Sequence, residues 1–263
     1  MESFLRVGLM LFLSVEYYFC AFEKNESTSV IERRMIGGRV AKYGEFPFLV
    51  AIFEKEEFQG CFTLITSQTL IGAAHVVESY EIENYYGRIG DTNKYKGRKL
   101  LFRSKMIHPR YNSRENHDDI AVLIVKYYVE NISPITLPGK NLRFTNGYAK
   151  FVGWGNIGYN EEDDTDILRV ADVMLVRPKL VERLFDITLT NGVIVTMTPG
   201  TIAMKGDSGS PLIITDAVKG QILIGILSSG GTRTNEPDIY MSTSFYYDFI
   251  QSRTFGRLKY LEM

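Results

Sequence analysis

Cysteine is nearly absent from this chain, with only Cys20 and Cys61 present. Cys20 falls in an amino-terminal stretch that reads as removable, so the rest can form no internal disulfide. Its fold must rest on the core alone, without the roughly 2 to 4 kcal/mol that a bridge adds. Long apolar runs are missing too, and no segment reaches the length of a membrane-spanning helix. The nine-residue run Val7 to Val15, directly after Arg6, instead fits the hydrophobic core of a secretory signal over residues 1–21. A formal charge of −1 removes the electrostatic case for nucleic acid. Three histidines without a Cys/His cluster leave a metal site unsupported, and nothing implies a cofactor.

What is present is enough for a sizeable core: 45% of 263 residues are hydrophobic. After residue 21 comes a polar segment, 22–34, with a glycosylation sequon at Asn25-Glu26-Ser27 and a dibasic end at Arg33-Arg34. From Pro47 onward short apolar runs alternate with polar turns. The first set is Phe48 to Phe53, Phe62 to Ile65, Leu70 to Ala74, Tyr85 to Gly90 and Ile120 to Val125. The second is Ala149 to Trp154, Val170 to Val176, Val193 to Met197, Pro211 to Ile214, Ile222 to Ser228 and Ile239 to Ser242. Even spacing without a helical period predicts an all-β barrel or sandwich. The stretch 243–254, with Phe245, Phe249 and Ile250, suits one amphipathic helix.

The chemistry concentrates in Lys205-Gly206-Asp207-Ser208-Gly209-Ser210-Pro211. Glycines flanking an acid and a hydroxyl make a tight turn that exposes one side chain and aims backbone N–H groups inward. Serine is a weak nucleophile unless a base and an orienting acid accompany it. His75 ends the run Leu70-Ile71-Gly72-Ala73-Ala74, and Asp119 stands where a polar loop becomes the strand Ile120 to Val125. A carboxylate there can hold an imidazole in the right tautomer.

The order His75, Asp119, Ser208, within AAH, DIAVL and GDSGSP, resembles the chymotrypsin/trypsin family of serine endopeptidases from Met35 to about Thr254. The resemblance implies two six-stranded antiparallel β-barrels, about residues 35–140 and 141–242, with a C-terminal helix at 243–254 and a catalytic cleft between the barrels. It implies His75 as base, Asp119 as orienting acid, Ser208 as nucleophile, and the N–H groups of Gly206 and Ser208 as an oxyanion hole. Ser228 matches the serine that hydrogen-bonds the acid, and the backbone of Ser228, Ser229 and Gly230 should pair with substrate as an added strand. Arg34-Met35-Ile36-Gly37-Gly38 resembles an activation site, where cleavage after Arg34 frees a Met35 ammonium to pair with Asp207. The expected whole is a secreted zymogen acting on proteins or peptides. It would be cut by an activating protease and be open to protein protease inhibitors, with no nucleic acid, membrane, metal or cofactor involved in its mature form.

The chain also departs from the pattern. Gly60 and Val76 stand where a bridge beside the base is expected, and Met204 where one beside the serine turn is expected. Ile202 takes the pocket-floor position that trypsin-like members fill with aspartate, while Asp238 replaces a glycine directed at the same pocket. That acid either restores a preference for basic residues or pairs with Lys205 or Arg233 and narrows the pocket. Ser229 replaces a tryptophan of the cleft wall. The departures keep open an alternative, a weak or inactive homologue that binds a partner through the old cleft. His108 reads as structural and His117 as a solvated loop residue. The acidic run Glu161 to Asp166 reads as a solvated loop or as a recruiter of basic partners.

Overall fold

The computed structural model describes residues 38–261 except 116, 159–163, 232 and 234. The expected signal, the segment 22–34, and Arg34 and Met35 lie outside the described residues. Among the described residues there are thirteen strands, two α-helices and a 3-10 turn at Ile82–Asn84.

Six strands close the first barrel: β2 (Leu49–Glu54), β3 (Glu57–Leu64), β4 (Thr69–Gly72), β5 (Tyr85–Ile89), β6 (Arg98–Ile107) and β7 (Ala121–Val125), in the order β2-β3-β4-β7-β6-β5. Every residue of β2 and β7 is buried, which suits their β-branched and aromatic content. Closure leaves no exposed edge to manage. Gly72 sits opposite Phe62 across β3 and β4, and any Cβ on it would collide with the Phe62 ring.

The second barrel consists of β8 (Tyr148–Gly153), β9 (Arg169–Val176), β10 (Val193–Thr196), β11 (Pro211–Asp216), β12 (Gly220–Ser229) and β13 (Asp238–Ser242). They run β9-β10-β13-β12-β11-β8, and pairing of β8 with β9 closes the ring. The short β1 (Arg39–Val40) adds to β9 from outside. All strand pairs are antiparallel, so the expected fold of two six-stranded antiparallel barrels holds.

Three elements differ from the reading of the sequence. β6 had no counterpart among the apolar runs, because Arg98, Lys99, Arg103 and Lys105 dilute it and only Leu100 and Phe102 are buried. Helix α1 (Pro178–Phe185) was also unforeseen. Pro178 starts it at a position where a missing N–H costs nothing, and of its residues only Val181 is buried. The terminal helix, α2, spans Tyr247–Arg253 rather than 243–254, and Ile250 is its buried residue. Phe249 packs its ring 4.8 Å from His108, so His108 serves as a core contact. His117 is half-buried, with Nδ1 3.2 Å from Glu115 Oε2. Among the described residues no helix is long and apolar enough to cross a membrane.

Candidate active site

The β4–β7 ladder ends with Gly72 opposite Ala121, so the chain leaving β4 and the chain entering β7 part at the same rim. That register delivers His75 and Asp119 to one point. Asp119 is 0% exposed and accepts three hydrogen bonds. His75 N donates to Oδ1 at 3.0 Å, while His75 Nδ1 and Ser228 Oγ each lie 2.7 Å from Oδ2. With the Nδ1 proton directed at the carboxylate, Nε2 is the acceptor nitrogen of the neutral ring. The imidazole keeps 24% of its surface exposed.

The serine turn is pressed into the seam between the barrels. Cys61 N on β3 donates to Ser208 O at 2.7 Å, and Gly209 N donates to Leu227 O at 2.9 Å on β12. Gly209, at φ +76°, admits no side chain, because a Cβ would collide with Cys61 O and stand 3.3 Å from Ala73 N. Ala73 is two residues before His75, so this close approach ties the serine turn to the chain end that carries the base candidate. Gly60 makes the same link: a Cβ there would lie 3.1 Å from Val76 Cγ2 and 3.2 Å from Ser208 Cβ. The positions expected to carry a bridge are therefore neighbours. The space between them is filled by backbone, since that Cβ would also stand 2.5 Å from Ser208 O.

Among the described residues, no acceptor takes the N–H of Gly206 or of Ser208, whereas Asp207 N between them donates to Met204 O at 3.0 Å. Two N–H groups without an acceptor on one turn leave donors available to a developing oxyanion. Asp207 is fully buried. Its Oδ1 accepts from Gly155 N at 2.8 Å and its Oδ2 from Met204 N at 3.0 Å. Burial pushes its carboxyl up to about 7, against the pull of those two N–H bonds. Burial likewise pushes Asp238 up to about 7.

A carboxyl held above its unfolded value of 3.8 stays protonated in the fold while the unfolded chain ionises. Stability is therefore full below about pH 4 and is lost as pH rises to about 7, by roughly 4 kcal/mol per group. Urea unfolding of the uncut chain should accordingly show a midpoint that falls from pH 5 to pH 8, and Asp207→Asn should flatten the fall. A midpoint that stays flat over this range would show the carboxyls already ionised at pH 5 in the uncut fold.

Beside Ser208 opens a cavity of about 220 Å³, lined by Ala203, Met204, Lys205 and Leu227 to Gly231. Ser229 and Gly230 are among the residues that line it. Ile202 and Asp238 stand behind the wall and do not line it. Ile202 is fully buried, and its Cδ1 would lie 3.1 Å from a Cβ on Gly231. The Asp238 carboxyl accepts Ala203 N at 3.2 and 3.3 Å and Gly231 N at 3.4 Å. Among the described residues it pairs with neither Lys205 nor Arg233, because backbone N–H groups already occupy it. A larger groove of about 720 Å³, between residues 141–145, α1 and Phe245, shares no residue with this constellation.

Residues unmarked in the sequence reading support the turn. Phe58 and Gly155 back Gly206, with Phe58 Cε1 3.2 Å and Gly155 Cα 3.3 Å from where a Gly206 Cβ would stand. Gly155 must lack a side chain, since a Cβ would overlap the Asp207 carboxyl.

Known proteins agree with this architecture. The family model described as Trypsin matches residues 35–250. The chain is 26% identical over 241 residues to a venom serine protease of Polistes dominula, covering 85% of this chain and 86% of that one. It is 31% identical over 239 residues to a venom protease of Bombus pensylvanicus, covering 81% and 96%. It is 26% identical over 261 residues to the clotting factor G beta subunit of Tachypleus tridentatus, covering 89% and 84%.

Proposed function

This chain belongs to the trypsin family of serine endopeptidases, and from that membership we propose a Ser208–His75–Asp119 hydrolase made as a secreted zymogen. The observation that carries the proposal is the Asp119 carboxylate, which holds both N–H groups of His75 and the Ser228 hydroxyl at once. His75 Nε2 takes the Ser208 proton as Oγ bonds to the peptide carbonyl carbon, and Asp119 stabilises the resulting imidazolium. The N–H groups of Gly206 and Ser208 receive the oxyanion. Collapse breaks the C–N bond, and the His75 proton leaves with the amine. Water then hydrolyses the acyl-serine by the same route, restoring both groups.

Residues 1–21 act as the signal, 22–34 as the propeptide and 35–263 as the protease domain. Cleavage after Arg34 by an activating protease frees the Met35 ammonium. Its target is Asp207, whose buried carboxyl is costly when ionised alone and tolerable when paired. Protein protease inhibitors would occupy the same cleft. The venom and clotting relatives speak for a secreted enzyme.

The primary pocket takes an apolar side chain of moderate size. Its lining of Ala203, Met204, Leu227, two glycines and three serines offers no charge except the exposed Lys205, and Asp238 is held behind it by backbone N–H groups. Cleaving the purified precursor after Arg34 and profiling it on a mixed peptide library tests activation and preference together. Cleavage after apolar residues is expected, and it should survive Asp238→Gly. Dominant cleavage after arginine or lysine, lost in Asp238→Gly, would overturn the apolar assignment.

A further inference from the structure

Lys94 is 1% exposed, an uncommon place for a cation unless it is paired. Its Nζ lies 2.7 Å from Asp164 Oδ1 and 4.8 Å from the centroid of the Phe58 ring. Asp164 belongs to the loop that leaves β8 after Trp154 and returns at Leu168. That loop is laced to the Thr92–Lys94 segment of the first barrel at three further points. Trp154 Nε1 donates to Thr92 O at 2.7 Å, Leu168 N to Thr92 O at 2.8 Å, and Lys94 N to Asp166 O at 2.8 Å.

The same loop braces the serine turn at its near end. Gly155 N holds Asp207 Oδ1 at 2.8 Å, and Asn156 N holds Lys205 O at 2.9 Å. Phe58, over which Lys94 sits, and Gly155 are the two groups that abut Gly206. A continuous set of contacts therefore runs from the Lys94–Asp164 pair to the proposed oxyanion glycine. The pair joins elements 70 positions apart in sequence and bridges the two barrels.

We propose that the Lys94–Asp164 ion pair clamps residues 164–168 to the first barrel and holds Lys94 over Phe58, and thereby fixes the Gly206 N–H for the transition state. Lys94 does not touch substrate; it is a positioning residue acting through Phe58 and Gly155. The proposal rests on the oxyanion reading of Gly206 and adds to it the device that sets the geometry. It also gives part of the acidic run a defined purpose. Removing the charge with Lys94→Met, which keeps the apolar stem, frees the loop without opening a large void.

In the cleaved enzyme, Lys94→Met and Asp164→Asn are each expected to lower kcat by roughly tenfold to a hundredfold, with KM changed less than about twofold. Asp164→Glu, which keeps the charge, should recover most of the loss. The double variant should be no worse than Lys94→Met, because the two residues act as one unit. A peptide boronate, whose tetrahedral adduct fills the oxyanion site, should lose affinity in step with kcat, while an uncleavable ground-state peptide keeps its own. Equal losses for both ligands, or additive single losses, would overturn the clamp. Amide hydrogen exchange across residues 204–208 separates this from failure of the catalytic reading. It should speed up in Lys94→Met whether or not the protein turns over substrate, and unchanged exchange sinks the clamp alone. An inactive wild type that still shows the faster exchange in the variant would sink the enzyme reading and keep the clamp.

Discussion

Replacing Ser208 with alanine is expected to lower kcat by about a millionfold while leaving the unfolding midpoint close to that of the parent. The fold uses this residue through its backbone: Ser208 O takes the Cys61 N–H at 2.7 Å, and Ser208 Cβ packs near Gly60. Alanine keeps both, and only Oγ is lost. With Oγ absent, His75 has no proton to accept and no acyl ester can form. The free N–H groups of Gly206 and of residue 208 remain, so a residual acceleration over water should persist. The measurement is fluorophosphonate labelling alongside turnover of the cleaved protein. Labelling of the variant at the wild-type rate, or turnover reduced less than about a hundredfold, would remove Ser208 from the nucleophile role. A cleaved, folded wild type that refuses the probe would return the chain to the alternative of a binding homologue.

The barrels were legible because their strands are short, apolar and evenly interrupted. β2 and β7 announce themselves, since every position faces a core. β6 does not, because within its pairing with β5 and β7 only Leu100 and Phe102 are buried, and the exposed Arg98, Lys99 and Arg103 break up the apolar run. α1 escaped notice although Leu180, Val181, Leu184 and Phe185 recur at helical spacing, because the stripe spans only two turns and only Val181 of it is buried.

The site divides in the same way. His75, Asp119 and Ser208 each sit inside a string whose neighbours are constrained: Ala73 and Gly209 by close approach, and Ile120 by burial. Lys94 has no such string. Its role exists only because the fold brings Asp164 and Phe58 to it. Asp238 was legible as an acid at the pocket, yet its direction was set by Ala203 N and Gly231 N, which no linear reading reveals. The missing bridge follows similar logic. Gly60 and Val76 remain neighbours, but the direct hydrogen bond from Cys61 N to Ser208 O now joins the barrels at that point. A cysteine at 60 would have to displace the nucleophile's own carbonyl, so restoring the bridge by substitution would disturb the turn it was meant to support.

Asp119→Asn is the second change with a very large expected effect, because three donors converge on the two oxygens of this carboxylate. His75 N points at Oδ1, and His75 Nδ1 and Ser228 Oγ point at Oδ2. An amide offers one oxygen and one NH₂, so at least one of these donors must face another donor. If the NH₂ meets Nδ1, the ring is driven to carry its proton on Nε2 and can no longer accept from Ser208. If the oxygen meets Nδ1, the NH₂ opposes the His75 backbone N–H in a fully buried spot, where an unsatisfied donor costs about 1 to 3 kcal/mol. The first arrangement leaves the backbone less strained only by giving up the base. The expected outcome is a loss of about ten-thousandfold in kcat with a folded protein, and a ¹⁵N imidazole signal that moves the proton from Nδ1 to Nε2. A variant that retains kcat within tenfold, with the proton still on Nδ1, would mean that the carboxylate does not govern the tautomer, and His75 would then need another group to hold its ring.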